Sequence, residues 1–185
     1  MRYVALLRGI NVGGNTMIKM DELRRTFEAL RFENVISYIN SGNLAFDCAS
    51  PRINKGDTSN SKKRSLISEI EQSIERDFAK SIPVMIRQQA DIERILANNP
   101  FAGQFENHKE MHVLFLREEM PPEKIEQLLS AAPDGERYVG IGRELYCHLP
   151  KGVIDSLLGK SFIEKKLKVA VTGRNWRTVE KLATL

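Results

Sequence analysis

Two spacings of apolar residues alternate along the chain. Runs rich in β-branched and aromatic side chains, "YVALLR" (3–8), "NVISYIN" (34–40), "NLAFDC" (43–48) and "IPVMIR" (82–87), predict strands. Met20, Leu23, Phe27 and Leu30, and later Leu66, Ile67, Ile70, Ile74 and Phe78, recur at helical spacing instead. The order is strand, helix, two strands joined through Ser41-Gly42, a polar stretch "ASPRINKGDTSNSKK", a long helix, a strand, and a short helix "ADIERILANNP" ended by Pro100. Gly42 suits a tight hairpin because glycine accepts positive φ.

The second half repeats this order. "MHVLFL" (111–116) reads as a strand, "PPEKIEQLLSA" as a helix opened by proline, and "RYVGI" and "ELYCHL" as a hairpin around Gly142-Arg143. "VIDSLLGKSFIEKKL" predicts a long helix, "KVAVT" a strand, and a last helix starts near Asn175. The offset between matching elements shrinks along the chain because the first copy carries the longer polar stretch. The expected fold is α+β: two ferredoxin-like βαββαβ repeats, residues 1–108 and 109–185, each with a trailing helix. One copy alone is small and leaves a sheet face bare, so the repeats are expected to pack into one compact unit.

A length of 185 residues with 42% hydrophobic content supplies such a core and argues against disorder. The N-terminal apolar run is too short for a signal peptide, and no stretch approaches the roughly 20 apolar residues of a membrane span. A cytoplasmic protein without a membrane partner is expected. Cys48 and Cys147 fall in the same strand of each copy, with no CxxC pair and no adjacent histidine, which predicts buried thiols rather than a disulfide, a zinc site or a nucleophile. His108 and His112 have helical spacing, but Glu110 is not placed as a zincin glutamate, so no metal and no cofactor are expected. The net charge is +4, and residues 151–185 hold eight Lys or Arg against three Asp or Glu. Any one lysine there solvates a helix face; together they favour an anionic partner.

Candidate chemistry concentrates in two places. From Arg8 to Gly14 the chain leaves the first strand through Gly9, Asn11, Gly13 and Gly14, which lets consecutive N–H groups turn inward as an anion-binding nest beside the planar Arg8 fork. A structural turn whose arginine pairs with an internal carboxylate accounts for the same residues equally well. In "TGRNWRT" (172–178), Asn175 suits a helix cap, and Arg174 at the helix start, with Thr172 and Thr178, forms a candidate second half of an anion site. "NSGN" is good turn chemistry in any protein, so Tyr38 and Asn43 are candidates only, and the first and second strands being apart in this fold, Asn40 and Asn43 need not share an end with Arg8. "GKS" (159–161) echoes a phosphate loop but lacks its glycine spacing and reads as helix interior; "GIGREL" lacks the third glycine of a dinucleotide fingerprint.

The segments "ALLRGINVGG", "KMDELR", "YINSGNLAF", "ANNPF", "ELYCHLP" and "TGRNWRTVEKL" together resemble the bacterial domain of unknown function family 1697, along essentially the whole chain. The resemblance implies a duplicated α+β fold in a cytoplasmic protein and names no reaction. Thr16 and Met17 stand where that family usually has Asn-Lys, and Asp155 and Leu157 replace basic residues beside Ser156. A ligand held through those basic groups would be held more weakly here, or be a different one.

Three functions fit these features. The first is a module that binds a small anionic ligand or nucleic acid through the glycine loop and the last helix start, although the few aromatic residues argue against an RNA-recognition sheet. The second is a metal-independent hydrolase of phosphoryl or acyl-phosphate bonds, by fold-level analogy with acylphosphatase, in which Arg8 holds the phosphate and Asn11 or Asn43 orients water. The third is an oligomerisation domain, such as a homodimer paired through an edge strand.

Overall fold

In the computed structural model, which describes residues 1–12, 16–49 and 59–185, with 59–65 as backbone only, the apolar run at the N-terminus forms β1 (Arg2–Leu7). It is followed by α1 (Met20–Ala29), β2 (Glu33–Tyr38), β3 (Asn43–Asp47), α2 (Ser59–Phe78), β4 (Val84–Gln88) and α3 (Gln89–Ala97). The four strands make one sheet in the order β2-β3-β1-β4, with β1 antiparallel to both neighbours. Side chains alternate across a strand, so Tyr3, Ala5, Leu7, Leu44, Phe46, Val84 and Ile86 share the core with Leu23 and Phe27 of α1 and Leu66, Ile70 and Ile74 of α2. Phe46 anchors that core, its ring centroid 4.5 Å from Phe32 and 5.3 Å from Phe27. Val4, Leu6, Ala45, Met85 and Arg87, which alternate with those residues, are buried too.

The second copy runs β5 (Met111–Leu116), α4 (Pro122–Ala131), β6 (Arg137–Ile141), β7 (Glu144–His148), α5 (Phe162–Lys165), β8 (Val171–Asn175) and α6 (Trp176–Leu182), with sheet order β6-β7-β5-β8. Its core gathers Leu114, Leu116, Leu128, Tyr138, Leu145, Cys147 and Ile163. The duplicated ferredoxin-like α+β fold expected from the apolar pattern is thus present. The copies balance volume differently: Ala5 lies opposite Ile86 in the first sheet, whereas Leu114 lies opposite Gly173 in the second. A Cβ at Gly173 would stand 2.9 Å from a Leu114 methyl, so the larger residue on one strand requires the smaller on the other.

In space the chain divides into two compact units, Met1–Asp91 with Leu185, and Ile92–Thr184. The repeat boundary read from the sequence falls after residue 108; the spatial break falls within α3. Tyr146 shows why, since its hydroxyl donates to the Ile95 carbonyl at 3.0 Å and holds the body of α3 in the second unit. Leu185 joins the first unit through its carbonyl, which accepts from Arg2 Nε at 2.6 Å.

Two elements differ from expectation. Residues 153–161 form turns, and only Phe162–Lys165 is helical. Side-chain oxygens replace helix hydrogen bonds there: Ser156 Oγ donates to the Val153 carbonyl at 2.7 Å and accepts from the Gly159 N–H at 3.1 Å, while the Leu157 N–H donates to Glu136 Oε2 at 3.2 Å. The path is so tight that a Cβ at Gly159 would lie 2.1 Å from the Val153 carbonyl oxygen. The last strand begins at Val171 rather than Lys168, which has a φ of 55°, and runs straight into α6.

Candidate functional site

In the first unit, the end of β1 meets the β2–β3 hairpin. The Leu7 N–H donates to the Gly42 carbonyl at 2.8 Å, which brings Asn40 and Asn43 to the same end of the sheet as Arg8. Antiparallel pairing causes this, because β3 starts where its neighbour β1 finishes, and it corrects the expectation that those asparagines need not lie there. Asn11 fastens the two pieces: its Nδ2 donates to the Ile18 carbonyl at 2.9 Å and the Asn40 carbonyl at 2.8 Å, and its Oδ1 accepts from the Ile18 N–H at 2.8 Å. Asn43, fully buried, donates from Nδ2 to the Tyr38 carbonyl and Ser41 Oγ, both at 3.0 Å.

Two of the amides expected to form an inward nest after β1 are bonded to carbonyls of the chain. The Arg8 N–H donates to the Pro83 carbonyl at 3.0 Å and the Asn11 N–H to the Thr16 carbonyl at 2.8 Å. Gly9 is exposed with φ 66° and Arg8 is half-buried; Gly13 and Gly14 lie outside the described residues.

In the second unit, Arg174 lies near the end of β8 opposite Val113, immediately before Asn175 at the α6 start. Only 7% of it is exposed, and loss of water lowers its guanidinium pKa to about 10. Nη1 donates to Thr172 Oγ1 at 2.9 Å and to the Gly173 carbonyl at 2.8 Å, fixing the fork on the sheet face that Thr172 shares. Asn175 Oδ1 accepts the Thr178 N–H at 3.0 Å and so caps α6, with Thr178 buried behind it. The helix start therefore has its cap from the chain itself, and Arg174 adjoins it as part of the strand.

Sequence reasoning missed Arg87. It lies opposite Val4 of β1 as Arg174 lies opposite Val113 of β5, is 1% exposed, and likewise donates from Nη1 to the preceding carbonyl, Ile86, at 2.9 Å. The signal was the matching strands "VMIRQ" and "VTGRN" in the duplicated order. Where Thr172 supplies a hydroxyl to Arg174, the first copy has Met85.

A second polar group in the same unit also escaped notice. Arg137 Nη2 donates to His148 Nδ1 at 2.9 Å, Nη1 donates to Gln104 Oε1 at 2.6 Å, and the guanidinium stacks 4.8 Å from the Phe101 ring centroid. A guanidinium only donates, so the His148 proton sits on Nε2, which is buried with no hydrogen-bond partner among the described residues. Burial, then the Arg137 charge, lowers the His148 pKa. Burial also pushes the Cys147 thiol well above its ordinary range, which keeps it protonated. Among the described residues, no helix is long and apolar enough to cross a membrane, and no three His, Cys, Asp or Glu are grouped to hold a metal ion.

Comparison with known proteins follows the same lines as the fold. The family described as Protein of unknown function (DUF1697) matches residues 1–146. The chain belongs to this family. It is also similar in fold to the conserved bacterial protein SP0830 from Streptococcus pneumoniae, with a TM-score of 0.73 and 24% sequence identity over 99% of this chain and 97% of that one. No curated protein matches the chain.

Proposed function

We propose that the protein is an anion-binding module whose second unit grips a phosphate-type group through Arg174 and Thr172. The observation that carries this reading is a guanidinium fixed in a place with little water and bonded to the Thr172 hydroxyl, where the matching position of the first copy is Met85. A planar fork in such surroundings favours an oxyanion strongly, because the charge–charge attraction is little screened. The basic segment 151–185 supports it by raising the local concentration of anions. Arg8 belongs to the first unit and Arg174 to the second, and the proposal rests on the latter alone. The hydrolase reading needs Asn11 or Asn43 to orient water; both donate to backbone carbonyls, and no specific observation favours it.

Titration of inorganic phosphate, followed by backbone amide resonances, tests the proposal. Saturable shifts at Thr172 and Gly173 are expected, weakened at least about tenfold in Arg174→Gln and partly retained in Arg174→Lys, which keeps charge without the fork. Thr172→Val, nearly isosteric, is expected to weaken binding in a folded protein. No saturable shift, or an unchanged response in both Arg174→Gln and Thr172→Val, overturns it.

A further inference from the structure

A cavity of about 240 Å³ lies in the second unit between the turn before β6 and the turns after β7, away from Arg174 in sequence and in lining. Its walls are tied together by groups already committed. Glu136 Oε2 accepts from the Tyr138 hydroxyl and the Leu157 N–H, and Ser156 Oγ bridges Val153 and Gly159. Pro133 and Pro150 stiffen the two sides, and the positions a Cβ would take at Gly135 and Gly152 are open space.

Four other charged residues line the same cavity: Lys151, Lys160, Asp134 and Asp155. Among the described residues, none of these four side chains makes an ion pair or a hydrogen bond. All four are solvent-exposed, and two positive and two negative residues thus line one small space. An inorganic anion placed there meets two carboxylates, and a metal ion meets two ammonium groups; each is opposed by half of the rim. A molecule carrying both charges satisfies both pairs. The volume is below the roughly 300–1,000 Å³ of sites for drug-sized ligands.

We propose that this cavity binds a small zwitterion of the free amino-acid class, its carboxylate held by Lys151 and Lys160 and its ammonium by Asp134 and Asp155. The site uses none of the residues of the anion proposal and stands or falls separately. Lys160 comes from "GKS", where the turns rather than a helix bring it to the cavity.

Amide spectra of the intact protein titrated with L-leucine, and separately with 4-methylpentanoate and isoamylamine, provide the test. Leucine is expected to shift Gly135 and Gly152 saturably, and each singly charged analogue to need at least about tenfold higher concentration. Lys160→Met and Asp134→Asn are each expected to weaken leucine binding about fivefold or more, with the rest of the spectrum unchanged. If either analogue matches leucine, if the shifts scatter away from the cavity, or if both variants bind as the parent does, the proposal is overturned. Asp155→Asn provides a second acidic variant should Asp134→Asn fail to fold.

Discussion

His148 shows how one side chain can make stability depend on pH. Its folded-state pKa is lowered, first by burial and then by Arg137, so below the ordinary histidine value the unfolded chain takes up a proton that the folded chain resists. Stability is therefore full above that value and falls as the pH drops through it toward the folded-state value. His112 is lowered by burial and acts in the same direction. The urea midpoint is expected to fall between about pH 8 and pH 5.5, and His148→Gln to flatten part of that slope, leaving the His112 share. Asp47 and Asp77 do not confuse the measurement. Their pKa values are lowered, Asp47 chiefly by Asn34 and Asp77 chiefly by Arg76, so their contributions persist above the ordinary carboxylate range and are lost only in stronger acid. An equal slope in the variant would show that His148 is not the group responsible. At this scale the sequence showed which residues were unusual but not which were enclosed: Arg174 stood out, yet its burial depends on strand pairing, and Asn11 looked like a ligand group because the loop path that brings Ile18 and Asn40 to it has no local signature.

Among the elements, the β2–β3 hairpin concentrates the constraints. Gly42 has φ 78°, and a Cβ there would lie 2.8 Å from Leu7 Cβ, so conformation and close approach both demand glycine. Gly42→Ala is expected to lower stability by about 3 kcal/mol in denaturant titration. Ile39 presents the reverse case: a half-exposed β-branched residue at φ 48°. Ile39→Gly is expected to raise stability by about 0.5–1 kcal/mol, relief of strain exceeding the added chain entropy. A loss of stability in that variant would mean that its side-chain contacts outweigh the strain. This hairpin was legible because Ser41-Gly42 has a local signature. The turns at 153–161 were not, since Val153, Leu157 and Leu158 keep helical spacing while Ser156 and Glu136 take over the hydrogen bonds, and bonding between side chain and backbone has no period to detect.

The duplication was legible for the whole molecule because apolar period and element order survive sequence change. The spatial break was not, since the bond from Tyr146 to Ile95 joins residues far apart in the chain. Comparing the copies also separates shared architecture from local chemistry. Both carry a buried arginine at the same strand position, but only the second has a threonine beside it. Arg87→Met is therefore expected to leave the phosphate response of Thr172 intact, whereas Arg174→Met removes it. Equal loss in both variants would show that the response is not a property of the second copy.

The chain has a single tryptophan, Trp176, nearly enclosed at the start of α6 and edge-on to Phe105 with 6.0 Å between ring centres. Nature has thereby placed an optical gauge in one half of the protein only. Its emission can time the folding of residues 92–184 without any label, while the other half stays dark at that wavelength.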